Sequence, residues 1–221
     1  MTRTAVMIMA KAPYPGQVKT RLCPPLTPWQ AAALSRAFLC DKIAQVRTLI
    51  SARPAIAYTP ASGEDFFAEV APDFTLIAQQ GTDLGERLIH SLEYFLHLGY
   101  AGVMAIDSDT PTLPTHCLQR AIALLTKHDV DVVLGPSDDG GYYLIGIRAM
   151  HRPLFLDMPW STSAVLSETV RRAQALGLRV AWLPPWFDVD TPADLARLRT
   201  MLSQTTTEEP RHTRQFFLEH T

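Results

Sequence analysis

The stretch AGVMAIDSDTPTLP, residues 101–114, passes from an apolar run directly into two acids and then into two prolines. The apolar residues 103–106 predict a buried strand that ends at Asp107 and Asp109. Open α/β sheets bind their ligands at the carboxyl ends of the strands. Carboxylates at such an edge suit Mg²⁺ or Mn²⁺ shared with a phosphate, although Asp is also a common turn residue. The segment alone leaves both a metal site and a plain polar turn open.

The composition indicates a globular protein without a strong charge bias. The 221 residues are 47% hydrophobic and 19% charged, and the formal net charge is −2. Bulk nucleic-acid binding is therefore not expected. The three cysteines are far apart and predict neither a disulfide framework nor a metal cluster, which favours a reducing cytoplasm. No apolar run has membrane-spanning length, and the N-terminal residues do not resemble a signal peptide. We expect a cytoplasmic protein with no membrane span.

Strand-like and helix-like segments alternate along most of the chain. The apolar run at residues 4–10 predicts a strand that is covered on both faces, as strands of parallel sheets are. The alternation predicts an α/β fold in which right-handed crossovers connect parallel strands. We predict a single domain over residues 1–202, followed by a polar tail at 203–221. Whether the aromatic residues of that tail pack on the domain is left open.

The first helix has a clear start signal. Thr27 suits the cap position, Pro28 suits the first helical position, and Gln30 completes a capping box. Between them, Trp29 is expected to be a packing residue rather than a platform for a nucleotide base.

A loop rich in cations follows the first predicted strand. It reads KAPYPGQVKTRL over residues 11–22 and carries Lys11, Lys19 and Arg21 beside Gly16 and a threonine. Such cations suit a diphosphate or triphosphate, since Arg offers a planar fork of donors and Lys a point charge. The spacing is neither that of a P-loop nor that of a GxGxxG turn. A solvent-exposed basic loop is the alternative interpretation.

Two further segments contain candidate ligand-binding residues. The sequence QGTDLGER, residues 80–87, precedes a predicted helix, whose N-terminus favours anions. Its Arg87 faces either a phosphate or a surface acid, and the surface acid is the more common case. In the irregular aromatic segment 155–160, Trp160 suits stacking on a base or sugar as well as it suits a place in the core.

The segment SDDGG, residues 137–141, lies between two predicted strands. Asp138 and Asp139 offer a general base or a metal contact. Gly140 and Gly141 permit a ligand to approach the backbone closely. The same residues are also favoured in a plain hairpin turn.

A second Asp-x-Asp motif, Asp188 and Asp190, follows the last predicted strand and precedes a helix with a good start signal at Thr191-Pro192. Because parallel strands end at one edge of a sheet, the motif is expected beside Asp107 and Asp109. This convergence raises the metal-site interpretation above the plain-turn interpretation.

Four motifs together resemble a known family. The segments AKAPYPGQVKTRL, DSDTP, GPSDDGGYYLIG and DVDTPADL occur in the order seen in cofC-like glycosyltransferase A-type proteins, whose members mostly lack an assigned reaction. More distantly, the chain is similar to phospholactate and molybdenum-cofactor guanylyltransferases. The resemblance runs over residues 4–202. It implies the nucleotide-diphospho-sugar transferase fold, a three-layer α/β/α sandwich with a mainly parallel sheet. It also implies a nucleotide over the first loop and a divalent metal held by acids.

The residues and the resemblance together define three sets of candidate site residues. Those expected to contact the nucleotide and its phosphates are Lys11, Gly16, Lys19, Arg21 and Arg87. Those expected to hold Mg²⁺ or Mn²⁺ are Asp107, Asp109, Asp188 and Asp190. Those expected on the acceptor side are Gly140, Gly141 and Trp160, with Asp138 or Asp139 as the general base.

Three functions remain open on the sequence. The leading hypothesis is metal-dependent transfer of a glycosyl group from a nucleotide sugar to a small-molecule acceptor, with the cations stabilising the departing nucleoside diphosphate. The alternative is nucleotidyl transfer, in which the α-phosphorus of a nucleoside triphosphate is attacked and pyrophosphate leaves. The third is a nucleotide-binding protein without catalysis. The base, the sugar, the acceptor and the oligomeric state are not readable from the sequence.

Overall fold

The computed structural model describes residues 4–50 and 52–220. In these residues the strands are β1 (Thr4–Lys11), β2 (Ala52–Thr59), β3 (Thr75–Ala78), β4 (Gly102–Ile106), β5 (Val132–Pro136), β6 (Tyr142–Ile147) and β7 (Val180–Trp182). The helices are α1 (Pro28–Arg47), α2 (Glu64–Val70), α3 (Leu84–His97), α4 (Thr115–Leu125), α5 (Val165–Ala175), α6 (Pro192–Gln204) and α7 (Arg211–Glu219).

The strands form one sheet in the order β3-β2-β1-β4-β6-β5-β7. All neighbouring pairs are parallel except those that involve β6, which runs antiparallel to both β4 and β5. Only residues 137–141 connect β5 to β6, and a connection of this length permits a hairpin but not a parallel crossover. The prediction of a mainly parallel sheet is confirmed, and the hairpin interpretation of this segment also holds.

Helices cover both faces of the sheet, so the predicted three-layer α/β/α sandwich is confirmed. The side chains of β1 alternate between two cores, since Val6 and Ile8 face one and Ala5 and Met7 face the other. Residues of α1, α2 and α4 complete the first core, and residues of α3 and α5 complete the second. A third cluster joins α1, α6 and α7 at one end of the molecule.

The start of α1 matches its prediction in all but one residue. Thr27 and Gln30 form the reciprocal capping box, and Pro28 occupies the first turn. Trp29, however, is 76% exposed, so the prediction that it packs in the core is wrong. Its neighbours Ala31 and Ala32 supply the buried side of the first turn.

The C-terminal segment contains α7, which packs against α1. Asp41 of α1 is buried, and its carboxylate accepts hydrogen bonds from the backbone N–H of His212 and of Thr213, both at 2.8 Å. The Thr213 hydroxyl donates to the same carboxylate at 2.6 Å. Phe216 is buried in the cluster that α7 shares with α1 and α6. These contacts answer the question that the sequence left open, while the domain boundary at residue 202 stays a prediction.

None of the helices in residues 4–50 and 52–220 is both long enough and apolar enough to cross a membrane.

We predict that Asp41→Ala lowers the free energy of unfolding by about 1–3 kcal/mol, because it leaves the first N–H groups of α7 unpaired in a buried position. Urea unfolding of this variant beside Asp129→Ala, which removes an exposed acid, measures the effect. A loss no larger than that of the control would contradict the role of Asp41.

Candidate active site

The carboxyl edge of the sheet brings three acidic segments together. The turn after β4, the β5–β6 turn and the segment after β7 are joined by direct hydrogen bonds. Val189 donates its backbone N–H to the Asp109 carbonyl at 3.0 Å, and the Ser137 hydroxyl donates to the Asp188 carboxylate at 2.8 Å. The expected convergence of the two Asp-x-Asp motifs is therefore present in the fold.

Lys19 lies between these motifs. Its ammonium group is 2.9 Å from the Asp109 carboxylate and 2.7 Å from the Asp190 carboxylate, and its side chain is 5% exposed. Burial on its own lowers the pKa of Lys19, but the two carboxylates outweigh burial, so the pKa is raised above its ordinary value. Lys19 was predicted as a phosphate contact, and the structure places it against two of the predicted metal ligands.

Asp107 is a half-buried carboxylate with local hydrogen bonds. Its Oδ1 accepts from the Thr110 hydroxyl at 2.6 Å and from the Asp109 backbone N–H at 3.3 Å. Burial raises the pKa of Asp107 to about 7, while the Lys42 ammonium opposes this shift and Asp109 adds to it. Burial also raises the pKa of Asp188, against the hydrogen bond from Ser137.

Lys42 was missed in the sequence, although it contributes to the same network. It is buried within α1, and its ammonium donates to the Thr110 carbonyl at 3.0 Å and to the Thr110 hydroxyl at 3.1 Å. Burial lowers the pKa of Lys42, and the nearby carboxylates of Asp107 and Asp109 oppose this shift. A signal was present, because Lys42 continues the four-residue spacing of the buried Leu34 and Phe38.

A cleft of about 330 Å³ lies between the basic loop and the start of α3. Three of the predicted phosphate contacts, Lys11, Lys19 and Arg87, line it together with Asp109. Lys11 donates to the Gln17 carbonyl at 2.8 Å and Arg87 to the Gly81 carbonyl at 3.2 Å. Since carbonyls rather than acids hold these two cations, their charges are available to an anion. We call this space the basic cleft.

A second cleft of about 470 Å³ adjoins the first at Asp109. Charged residues supply much of its lining, namely Asp107, Asp109, Asp139, Asp188, Asp190 and Arg21. Trp160 and Tyr142 line the same space, with their rings edge to face and their centroids 6.5 Å apart. We call this space the acidic cleft. The structure thus brings both Asp-x-Asp motifs and Trp160 to one cleft.

The two acids of the β5–β6 turn lie in different places. Asp139 lines the acidic cleft, and its Oδ1 accepts from the backbone N–H of Gly141 at 2.8 Å. Asp138 lines a separate groove near Trp186, where Arg197 donates to its carboxylate at 2.7 Å. Of the two candidates for a general base, the structure therefore brings only Asp139 into the cleft.

The glycines of the predicted site differ in role. Gly141 lines the acidic cleft. Gly140 has a positive φ of 90°, and a Cβ there would lie 2.4 Å from the Ser163 carbonyl oxygen, so its small size is needed for packing. Gly16 also has a positive φ, at 74°, and it shapes the basic loop without lining either cleft.

The residues at the edge of the sheet have the donor chemistry of a hard divalent cation. Within the described residues, no three His, Cys, Asp or Glu side chains already form a metal-binding group. Mg²⁺ is commonly held by one or two carboxylates together with substrate phosphates, so a complete protein cage is not required. Burial raises the pKa values of the Asp107 and Asp188 carboxyls, because it disfavours their charged forms, and a divalent cation would offset that cost. These residues fit a divalent cation.

Comparisons with known proteins agree with the sequence motifs. The model of a family described as "uncharacterized protein conserved in bacteria" (DUF2064) matches residues 42–162, more than half of the chain. A phosphoenolpyruvate guanylyltransferase from Mycobacterium leprae (strain Br4923) is 27% identical over 188 residues, 83% of this chain and 83% of that protein.

Solved structures support the fold and the enzyme class. A protein from Desulfovibrio desulfuricans G20, assigned as a nucleotide-diphospho-sugar transferase, has 34% identity and a TM-score of 0.90 over 99% of this chain and 95% of its own. Glucosyl-3-phosphoglycerate synthase from Mycobacterium tuberculosis, in complex with Mn²⁺, UDP and glucosyl-3-phosphoglycerate, has 14% identity and a TM-score of 0.55 over 91% and 79%. The predicted fold and the prediction of a transferase are confirmed, and the relatives support a nucleotide-utilising enzyme.

The raised pKa of Asp107 has a consequence for stability. A carboxyl whose pKa is raised on folding favours the folded state fully below its unfolded pKa, and this contribution is lost as the pH rises through the folded value, here about 7. In EDTA, we predict that the stability of Asp107→Asn relative to wild type rises by about 1–3 kcal/mol from pH 4 to pH 8. Urea unfolding at several pH values measures this difference. A difference that does not vary with pH would contradict the prediction.

Proposed function

We propose that this chain, which belongs to the DUF2064 family, is a metal-dependent glycosyltransferase that uses a nucleotide sugar. The observation that carries the proposal is the pair of clefts of opposite charge that adjoin at Asp109. The basic cleft takes the nucleoside diphosphate of the donor, and the acidic cleft takes the acceptor. The transferred sugar then lies at their junction, where donor and acceptor approach each other.

The basic cleft suits a leaving nucleoside diphosphate. As the bond between the sugar and the phosphate breaks, negative charge grows on the diphosphate, and cations already in place stabilise it without reorganisation. Lys11 and Arg87 have charges available for this purpose. Arg21 lines the acidic cleft instead, where its guanidinium is 71% exposed beside Asp190. Lys19 also lines this cleft, and its ammonium group pairs with the carboxylates of Asp109 and Asp190.

Asp107 and Asp188 would hold the divalent cation, with Asp109 shared between the cation and Lys19. The cation would supply Lewis-acid stabilisation of the phosphate oxygens. The synthase from M. tuberculosis that shares the fold was solved with Mn²⁺ and UDP, which supports this assignment by analogy. Asp190 is the weakest of the predicted ligands, because Lys19 contacts its Oδ1 and Arg21 its Oδ2.

The lining of the acidic cleft indicates how an acceptor would be held. Among the described residues that line it, five are carboxylates and one is a guanidinium. The divalent cation would offset the charge of Asp107 and Asp188, and the carboxylates left over can accept hydrogen bonds from the hydroxyl groups of an acceptor. Trp160 and Tyr142 offer aromatic surface to the apolar face of a sugar. Asp139 lines this cleft and accepts one backbone hydrogen bond, and in the proposed reaction it removes the proton of the acceptor hydroxyl.

Nucleotidyl transfer is the second candidate. It is favoured by the phosphoenolpyruvate guanylyltransferase, which is similar over 83% of the chain. In this reaction an acceptor oxygen attacks the α-phosphorus of a nucleoside triphosphate, and pyrophosphate leaves. The same cations of the basic cleft would stabilise the pyrophosphate. Binding of a nucleotide without catalysis is the third hypothesis, and a cytoplasmic location remains a prediction.

The leaving group distinguishes the two transfer reactions. With Mn²⁺ and a panel of small-molecule acceptors, both uncharged and anionic, we expect release of nucleoside diphosphate from a nucleotide sugar and no pyrophosphate from any common nucleoside triphosphate. Coupled assays for the two products, each run with and without EDTA, measure this. Release of pyrophosphate that depends on an acceptor would replace the glycosyl proposal with nucleotidyl transfer. Nucleotide binding that is indifferent to Mn²⁺, with neither product formed, would support the third hypothesis.

The adjacent acids of the β5–β6 turn provide a matched pair of variants. Asp139→Asn is expected to lower kcat by about 10²–10⁴-fold, the usual contribution of a general base. Asp138→Asn removes the same charge one residue away, outside the cleft, and is expected to change kcat by less than about threefold. Steady-state kinetics of both variants with saturating donor test this. An equal loss in the two variants, or no loss in Asp139→Asn, would contradict the assignment.

A further inference from the structure

Lys42 is a buried lysine to which the proposed reaction assigns no role. Its side chain is 1% exposed, and it lies on α1 between Leu39 and Val46, which belong to the core beneath the sheet. An ammonium group is costly to bury unless its hydrogen bonds are fully satisfied. The partners of Lys42 therefore indicate what the residue does.

The hydrogen bonds of Lys42 account for all three of its donors. The ammonium donates to the Thr110 carbonyl at 3.0 Å, to the Thr110 hydroxyl at 3.1 Å and to Gln45 Oε1 at 3.1 Å. An ammonium has three N–H donors, so none is left over. Two of the three bonds end on one residue, which fixes both the backbone and the side chain of Thr110.

Thr110 in turn holds the side chain of Asp107 by a hydrogen bond. Its hydroxyl has one hydrogen, which it donates to Asp107 Oδ1 at 2.6 Å, while it accepts from Lys42 through a lone pair. The chain of hydrogen bonds therefore has one direction, from Lys42 through Thr110 to Asp107. Only Oδ1 of the Asp107 carboxylate is engaged by Thr110, and this contact orients the whole group.

Gln45, also on α1, contacts residues that follow Thr110 in the sequence. It lies three residues after Lys42 on the same face of the helix, and its amide donates to the Leu113 carbonyl and to the Thr115 hydroxyl. Two side chains of one rigid helix thus hold the segment 110–115, which directly follows the acids of the cleft. The segment itself contains Pro111 and Pro114 and has no regular secondary structure before α4.

We infer that Lys42 is a positioning residue, which sets the orientation of the Asp107 carboxylate through Thr110. The inference rests on the proposed function in one respect, namely that Asp107 holds the divalent cation. Lys42 itself touches neither the cation nor the substrates, because Thr110 lies between it and the cleft. Supporting contacts of this kind typically change metal affinity or activity by about 10–100-fold.

The test replaces Lys42 with methionine, which has similar length and no charge. In Lys42→Met, we expect faster amide hydrogen exchange in residues 107–115 and about 10–100-fold weaker Mn²⁺ binding in a direct titration. Lys127→Met makes the same substitution at an exposed lysine and is expected to change neither quantity. Unchanged exchange in residues 107–115 of Lys42→Met would overturn the positioning role. Faster exchange with unchanged Mn²⁺ affinity would overturn its functional consequence.

Variants of Thr110 test the same hydrogen bonds in case Lys42→Met lowers the stability of the whole protein. Thr110→Val removes the hydroxyl, whereas Thr110→Ser retains it and is expected to keep the Mn²⁺ affinity of the wild type. If Lys42 acts through this hydroxyl, the double variant Lys42→Met/Thr110→Val loses about as much affinity as the weaker-binding single variant. Multiplicative losses in the double variant would overturn the proposed chain. If the wild type binds no Mn²⁺, the metal assignment of Asp107 fails, and the exchange measurement alone decides the positioning role.

Discussion

The ammonium group of Lys19 joins the parts of the chain that form the candidate site. It contacts Asp109, which follows β4, and Asp190, which precedes α6, while Lys19 itself belongs to the loop after β1. Without a cation between them, carboxylates this close would repel each other. The backbone of Lys19 is left-handed, with a φ of 48°, a conformation that a non-glycine residue adopts at some cost. The contacts of Lys19 therefore hold the loop after β1 against the two acidic motifs that contain Asp109 and Asp190.

This arrangement separates charge across the edge of the sheet. Cations collect in the basic cleft, between the first loop and α3, and carboxylates collect in the acidic cleft, between the β4 turn and Trp160. A transfer reaction needs a leaving group that is stabilised as it becomes negative and an acceptor that is deprotonated nearby. The two clefts meet those needs on opposite sides of Asp109. The fold of the sheet supplies the junction, because the strands that carry these turns end at the same edge.

The sequence predicted the fold, and the proximity of the two acidic motifs, for identifiable reasons. Apolar runs and helix start signals are local, so most strands and helices could be located from the sequence. The convergence of Asp107, Asp109, Asp188 and Asp190 followed from the parallel sheet. Local signals could not show that Asp138 turns away to Arg197 while Asp139 enters the cleft, because adjacent turn residues look alike in sequence. The exposure of Trp29 depends on tertiary packing, which no short motif reports, whereas the burial of Lys42 could have been read from its helical spacing with Leu34 and Phe38.

The central claim is that a nucleotide phosphate and a divalent cation meet at the junction of the two clefts. A crystal structure with Mn²⁺ and a nucleoside diphosphate, using the anomalous signal of manganese, tests it most directly. We expect a manganese peak bonded to carboxylates of the Asp107–Asp109 turn and to phosphate oxygens, with Lys11 and Arg87 on the phosphates. A nucleotide bound elsewhere, or bound in the basic cleft with no manganese at these carboxylates, would contradict the account.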